Sequence, residues 1–351
     1  MKFTNDNGMK SAMCVLERVT LSDKEFTALP YAENTDPSKG AIRYGVVLQS
    51  KSSDKSISFY KTFLGDDGIS VDFAENGKIA HKSFCGRQRY KEAAKFMTDQ
   101  GIMATRILPY STMTTPLSAI FADLVQRKGA AYIGATWLKV ARWYWCSVFS
   151  QRYSSQIEST SARDFEQVLN WIDGGEPPEV VRTFGFRSDA LQEITSIRNA
   201  IYKGVLCLLA RAGAKDFGGG GKLSTHLFYS TNQDHHHIFP TSALKRLGIQ
   251  DRRAGTIINK TLINYAVNRS IGGRLPSDYL RDWQDKLGTA LFDDILGSHA
   301  VDPALLSSDN WERYLLDRRE RLRQLVASAC GGNVQPFSDA VDLEVEEDEE
   351  A

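Results

Sequence analysis

The chain reads as a mainly α (α+β) protein: a helical body with a small β-rich region at its N-terminal end. Between residues 134 and 152, Trp137, Val140, Ala141, Tyr144, Trp145 and Val148 recur at helical spacing. Earlier in the chain, residues 41–48 and 56–60 are rich in β-branched and aromatic side chains. The turn sequences Asp66-Asp67-Gly68 and Asn76-Gly77 follow them. Apolar residues make up 42% of 351, close to the globular norm, so the chain can bury a sizeable core in two or three domains.

Taken in order, residues 1–85 form the β-rich region. They carry no catalytic motif, and a structural appendage is the plain reading; a modified-base reader or a docking module is the functional alternative. Residues 86–215 read as a helical domain, whose regularly spaced aromatics belong to a core rather than to a stacking platform. Phe217-Gly218-Gly219-Gly220-Gly221-Lys222 looks like a phosphate loop at first sight. The pattern fails, because Asp216 stands where a glycine is needed and Leu223 follows the lysine instead of Ser or Thr. The run is therefore expected to be a flexible linker into a domain covering residues 216–330. Near the end of that domain, residues 311–325 place Trp311, Leu315, Leu322 and Leu325 on one side of a helix. Arg318, Arg319, Arg321 and Arg323 are left for solvent or phosphate.

Residues 331–351 are expected to be a disordered acidic tail. Eight acidic and no basic residues lie between Asp339 and Ala351, and without them 43 basic side chains face 35 acidic ones. The zero net charge thus hides a mildly basic body that suits nucleic acid. The five cysteines are scattered and read as reduced thiols. With no apolar leader and no run of about eighteen apolar residues, a cytoplasmic protein is expected.

Three of the six histidines stand together in Asp234-His235-His236-His237-Ile238-Phe239-Pro240. A neutral imidazole titrates near working pH and can take a proton from water. A structural zinc site is disfavoured, since no cysteine lies near and no C-x-x-C pair exists. Downstream come Asn259-Lys260-Thr261-Leu262 and then Asn268, nine residues beyond Asn259.

On these motifs residues 234–280 resemble the HNH, or His-Me finger, nucleases. The closer likeness is to the HNH domain at the C-terminal end of GmrSD-type, modification-dependent (type IV) restriction enzymes. A weaker likeness extends over roughly residues 90–325, through Leu108-Pro109-Tyr110 and the segments 143–153, 212–217 and 311–323. The resemblance implies a ββα-metal site: His237 as base, His236 and Asn268 as metal ligands, and Asn259 bracing the loop that carries the base. Asp234 and His235 would support it, and Lys260, Arg269 and Arg274 would contact phosphate. The cofactor implied is a divalent metal, Mg²⁺ first. Many relatives carry Asp or Glu where His236 stands, so Mn²⁺ or Ni²⁺ also suits the site.

The activity implied is endonucleolytic hydrolysis of DNA, leaving a 5′-phosphate, in restriction of phage. The substrate would be double-stranded and modified phage DNA. The nucleotide-hydrolysing domain of such enzymes, with its Asp-Gly-Gln-Gln-Arg signature, is missing here. A partner domain or subunit is therefore expected to supply it. A homodimer, or two successive nicks, would be needed to cut a duplex. Two other readings stand beside this one: a modification-binding or docking subunit with a vestigial site, and an RNase or toxin built on the same finger.

Overall fold

The computed structural model describes six strand segments between residues 19 and 85, and residues 87–338 apart from 129, 226–227 and 229–232. Among the strands, β1 (Val19–Leu21) pairs with β2 (Lys24–Phe26). The others form an antiparallel meander of β3 (Tyr44–Gln49), β4 (Ile57–Gly65), β5 (Gly68–Glu75) and β6 (Lys78–Cys85), in that order. Both expected strands are present, with shifted ends, and the two turn sequences prove to separate hairpin strands. Gly65 pairs with Gly68 and Glu75 with Lys78, so two residues connect each hairpin. The turn residues themselves lie outside the described residues.

The described remainder is mainly helical. It contains α1 (Arg87–Asp99), α2 (Thr114–Lys128), α3 (Ala130–Phe149), α4 (Ile157–Ile172), α5 (Glu179–Arg182) and α6 (Ala200–Arg211). Beyond the glycine run come α7 (Thr241–Arg246), α8 (Tyr265–Ile271), α9 (Pro276–Leu287), α10 (Thr289–Ser298), α11 (Pro303–Ser307) and α12 (Trp311–Cys330). The short strand β7 (Phe186–Arg187) follows α5, and β8 (Gln233–His237) and β9 (Lys260–Asn264) precede α7 and α8 respectively. None of the described helices is long and apolar enough to cross a membrane.

Helix α3 is the axis of the body, with α2, α4, α5, α6 and α12 packed around it. Val140, Trp143, Tyr144, Trp145, Cys146 and Val148 are all buried. A helix buried on nearly every side is what such a continuous apolar run requires. One hydrophobic core runs from Ala93 to Phe337 and passes through the expected domain boundary at Asp216.

Two expectations need correction. The glycine run is a closed turn, not a flexible linker. Asp216 and Gly221 are joined by a backbone hydrogen bond of 2.8 Å, and Gly220 N–H donates to the Asp216 carbonyl at 2.8 Å. The Asp216 carboxylate takes hydrogen bonds from Gly218 N–H at 3.0 Å and Asn264 Nδ2 at 2.8 Å. Gly220, at φ +72°, supplies the left-handed backbone. Secondly, residues 331–338 are ordered. Strand β10 (Val334–Gln335) pairs in parallel with β7. Phe337 is buried beneath the Arg319 guanidinium, 4.6 Å above its ring. Residues 339–351 lie outside the described residues.

The segment Arg152-Tyr153-Ser154, whose role is not readable from sequence, serves a buried anion. Asp164 accepts hydrogen bonds from Trp143 Nε1 at 3.0 Å, Tyr153 OH at 2.9 Å and Arg152 Nε at 2.9 Å. Removing it takes the carboxylate from a buried indole N–H and a phenol and leaves Arg152 only the more distant Glu179. Asp164→Ala is expected to destabilise the fold by about 3–5 kcal/mol, read as a lowered urea midpoint. An unchanged midpoint would show that the hub contributes nothing.

Candidate active site

The three histidines lie on β8, which runs antiparallel to β9. His237 faces Lys260 across the ribbon, His236 faces Thr261, His235 faces Leu262 and Asp234 faces Ile263. Strand alternation puts His235 and His237 on one face and His236 on the other. Helix α8 starts directly after β9 and packs against β8. Its N-cap is Asn264, whose Oδ1 accepts from Val267 N–H at 2.9 Å while its Nδ2 binds Asp216. The two strands and α8 thus pack as one unit, with α7 inserted between the strands in sequence; His236 and His237 lie on the first strand and Asn268 on the helix.

The end of β8 is anchored by Ile238 and Phe239, both fully buried. Phe239 meets Trp311 and Tyr314 of α12 at ring distances of 5.5 and 6.1 Å. Asn259, also fully buried, holds this segment through its backbone. Its Oδ1 accepts from Phe239 N–H at 2.9 Å, and its Nδ2 donates to the carbonyls of Phe239 at 2.9 Å and Ala254 at 3.0 Å. Ile238 N–H donates to the Asn259 carbonyl at 2.9 Å, and Tyr279 OH to the Ile238 carbonyl at 2.8 Å. A side-chain amide offers both donors and an acceptor in one plane, so it can replace a strand partner here.

Sequence reasoning missed Arg318. It was expected at solvent or phosphate, yet it is completely buried. Its Nε donates to the Ile258 carbonyl at 2.7 Å, one terminal nitrogen to Lys260 at 3.1 Å, and the other to His299. A signal existed, because Trp311, Leu315, Arg318 and Leu322 follow one apolar stripe at steps of four, three and four. Of its neighbours, Arg321 pairs with Asp317 and Asp302, and Arg323 with Glu320. Also missed was His299, fully buried. Its Nε2 lies 2.7 Å from the Lys215 carbonyl and its Nδ1 2.6 Å from Thr261 Oγ1. The carbonyl can only accept, so Nε2 carries the proton and Nδ1 takes one from the threonine.

Electrostatics separate the clustered histidines. Burial pulls His237 down to about 4, helped by the Lys260 ammonium and the neighbouring imidazoles. His236 is lowered too, burial again first, with Asp234 acting against it. Both rings are therefore set to be neutral near pH 7. His236 Nε2 is buried without a hydrogen-bond partner. By contrast Asp234 is held down to about 2, chiefly by the hydrogen bond from His235. Its Oδ1 lies 2.9 Å from His235 Nδ1, and the His235 ring stands edge-on to Tyr202 of α6 at 5.4 Å. This pair ties the ribbon to the helical body.

Asn268 is half-buried on α8. Lys260 is half-buried and has no ion-pair partner among the described residues. Arg269 is exposed, 5.7 Å above the Tyr265 ring. Arg274 is already engaged: it donates to the Ser270 carbonyl at 2.7 Å and pairs with Asp282. That makes it a clamp on the end of α8 rather than a free phosphate contact. Among the described residues no three His, Cys, Asp or Glu side chains converge on one point.

An uncharacterized protein of the archaeon Methanocaldococcus jannaschii is 34% identical over 149 residues, 41% of this chain. The match spans only 25% of that relative's length. No protein-family profile matches the chain, and no solved structure matches it.

The buried His299 makes stability depend on pH. Its folded value is about 4, against roughly 6.5 for an unfolded histidine. Below about 6.5 the unfolded chain binds more protons, so stability falls with pH until about 4. The expected loss is on the order of 3 kcal/mol, read from urea midpoints across that window. His237, also lowered to about 4, contributes in the same window, so His299→Gln should reduce the slope, and equal slopes in both proteins would contradict the assignment.

Proposed function

We propose that this chain is a metal-dependent endonuclease of the HNH type, hydrolysing phosphodiester bonds of DNA at the β8–β9–α8 site. The observation that carries the reading is His236. Its Nε2 is buried without a partner, beside a second imidazole kept neutral, on a strand packed against the helix that bears Asn268. An unpartnered buried nitrogen costs about 1–3 kcal/mol, and a metal ion bound at that nitrogen removes the penalty. One imidazole nitrogen and one amide oxygen fit a divalent ion such as Mg²⁺, Mn²⁺ or Ni²⁺. Such an ion, when bound, supplies positive charge to the scissile phosphate and the leaving oxygen.

The chain's own residues supply the rest. His237 is unprotonated near neutral pH and can accept the proton of the attacking water. Asn259 fixes the backbone immediately after it, so the ring is carried on a rigid strand end. Lys260, opposite His237 on β9 and close enough to lower its pKa, is the cation this reading assigns to the incoming phosphate. Its ammonium also keeps His237 from taking up a proton prematurely. A role in phage restriction, modified DNA as substrate, and a nucleotide-hydrolysing partner follow from the family resemblance and belong to the same proposal.

The test is plasmid nicking with Mg²⁺, Mn²⁺ or Ni²⁺, comparing the intact chain with His237→Ala. Metal-dependent nicking that falls by roughly 10²–10⁴-fold in the variant is the expected result. Equal nicking by both proteins would remove His237 from the chemistry.

A further inference from the structure

We infer that Tyr265 and Arg269 form a stacking platform for an unpaired base beside the scissile phosphate, which selects single-stranded or distorted nucleic acid. This rests on the nuclease reading above and adds a substrate preference to it.

The argument starts from helix geometry. Each residue of α8 advances about 100° around the axis. Val267 and Ile271 are both 2% exposed and mark the face turned to the core. Moving round from Ile271, the next positions are Asn268, then Tyr265, then Arg269, all within about 100° of arc. A strand whose phosphate lies at Asn268 therefore meets Tyr265 and Arg269 as it passes outward over the helix.

The side chains there have suitable chemistry. Tyr265 is 52% exposed, and it is the aromatic residue among the exposed large hydrophobic side chains described; Leu138, Leu247, Leu291 and Leu316 are aliphatic. Arg269 has no carboxylate partner among the described residues and holds its guanidinium 5.7 Å from the Tyr265 ring. A local pair of this kind contributes about 0.5–1 kcal/mol at an exposed site, which orients the ring. It leaves one face of the ring and the cation's outer donors open to a base and its phosphate. In an intact duplex the bases are stacked on one another and present no face to such a ring. An unpaired base does, and stacking on an aromatic side chain contributes about 1–3 kcal/mol per base.

The exposure of Tyr265 makes the test clean, since replacing it removes no core contact. Fluorescence anisotropy with EDTA present, so that nothing is cut, gives the affinity of the full chain for a labelled oligo-dT strand and for a duplex of equal length. Tyr265→Ala is expected to weaken binding of the single strand by roughly 5- to 100-fold. Tyr265→Phe should stay within about twofold, because the ring is what stacks. Duplex binding should change little in either variant. If Tyr265→Ala binds the single strand as the intact chain does, or loses strand and duplex affinity equally, the platform is wrong while the nuclease reading stands. If the intact chain binds neither DNA, both fall.

Discussion

The candidate site depends on one buried cation. Arg318 sits in the core without an ion-pair partner among the described residues and directs its donors to the carbonyls of Ile258, Lys260 and His299. Burying a guanidinium is costly unless its donors are satisfied, and these three acceptors satisfy it. In return, the backbone on either side of Asn259 is fixed to α12. Asn259 can then hold Phe239 by both its N–H and its carbonyl, and Phe239 packs on the rings of the same helix. Precision at His237 is thus inherited from a helix about eighty residues downstream in sequence.

A second set of contacts fixes the other end of the ribbon. The turn at Asp216 grips Asn264, which caps α8, while His299 links the Lys215 carbonyl to Thr261. Strand β9 is held at both ends, and α8 starts from a defined point. The result is a short ribbon and helix locked from beneath, with several groups left uncommitted: the buried His236 Nε2, the half-buried Lys260 and the exposed Tyr265–Arg269 pair. Rigid support under unsatisfied polar groups is how a site binds a ligand without reorganising. Burial also sets the protonation. With His237 lowered to about 4 by burial and by Lys260, its imidazole is neutral near pH 7.

Much of the fold was legible because its signals are local. The apolar spacing of residues 137–148 marks α3, and Asp66-Asp67 and Asn76-Gly77 mark hairpin connections within the meander. Asn259, read as bracing the loop that carries His237, is buried with its amide bonded to Phe239 and Ala254. What escaped depends on long-range partners. Arg318 reads as surface until its carbonyl acceptors, Ile258, Lys260 and His299 on earlier elements, are known. The glycine run reads as a linker until Asp216 is seen to grip Asn264. Val334 to Phe337 read as the start of an acidic tail, although Phe186–Arg187 offers them a strand edge. Arg274 looks like a free cation, but Asp282 lies one helix away. In each case the role is set by tertiary contact rather than by propensity.

The central claim is that His236 and Asn268 together hold a divalent ion. Its most direct test is calorimetric titration of Mn²⁺ into the intact chain, His236→Ala and Asn268→Ala at pH 7. The account predicts one ion per chain, with affinity falling by at least about tenfold in each variant. Binding of equal strength in all three proteins would contradict it, and would place any metal elsewhere in the molecule.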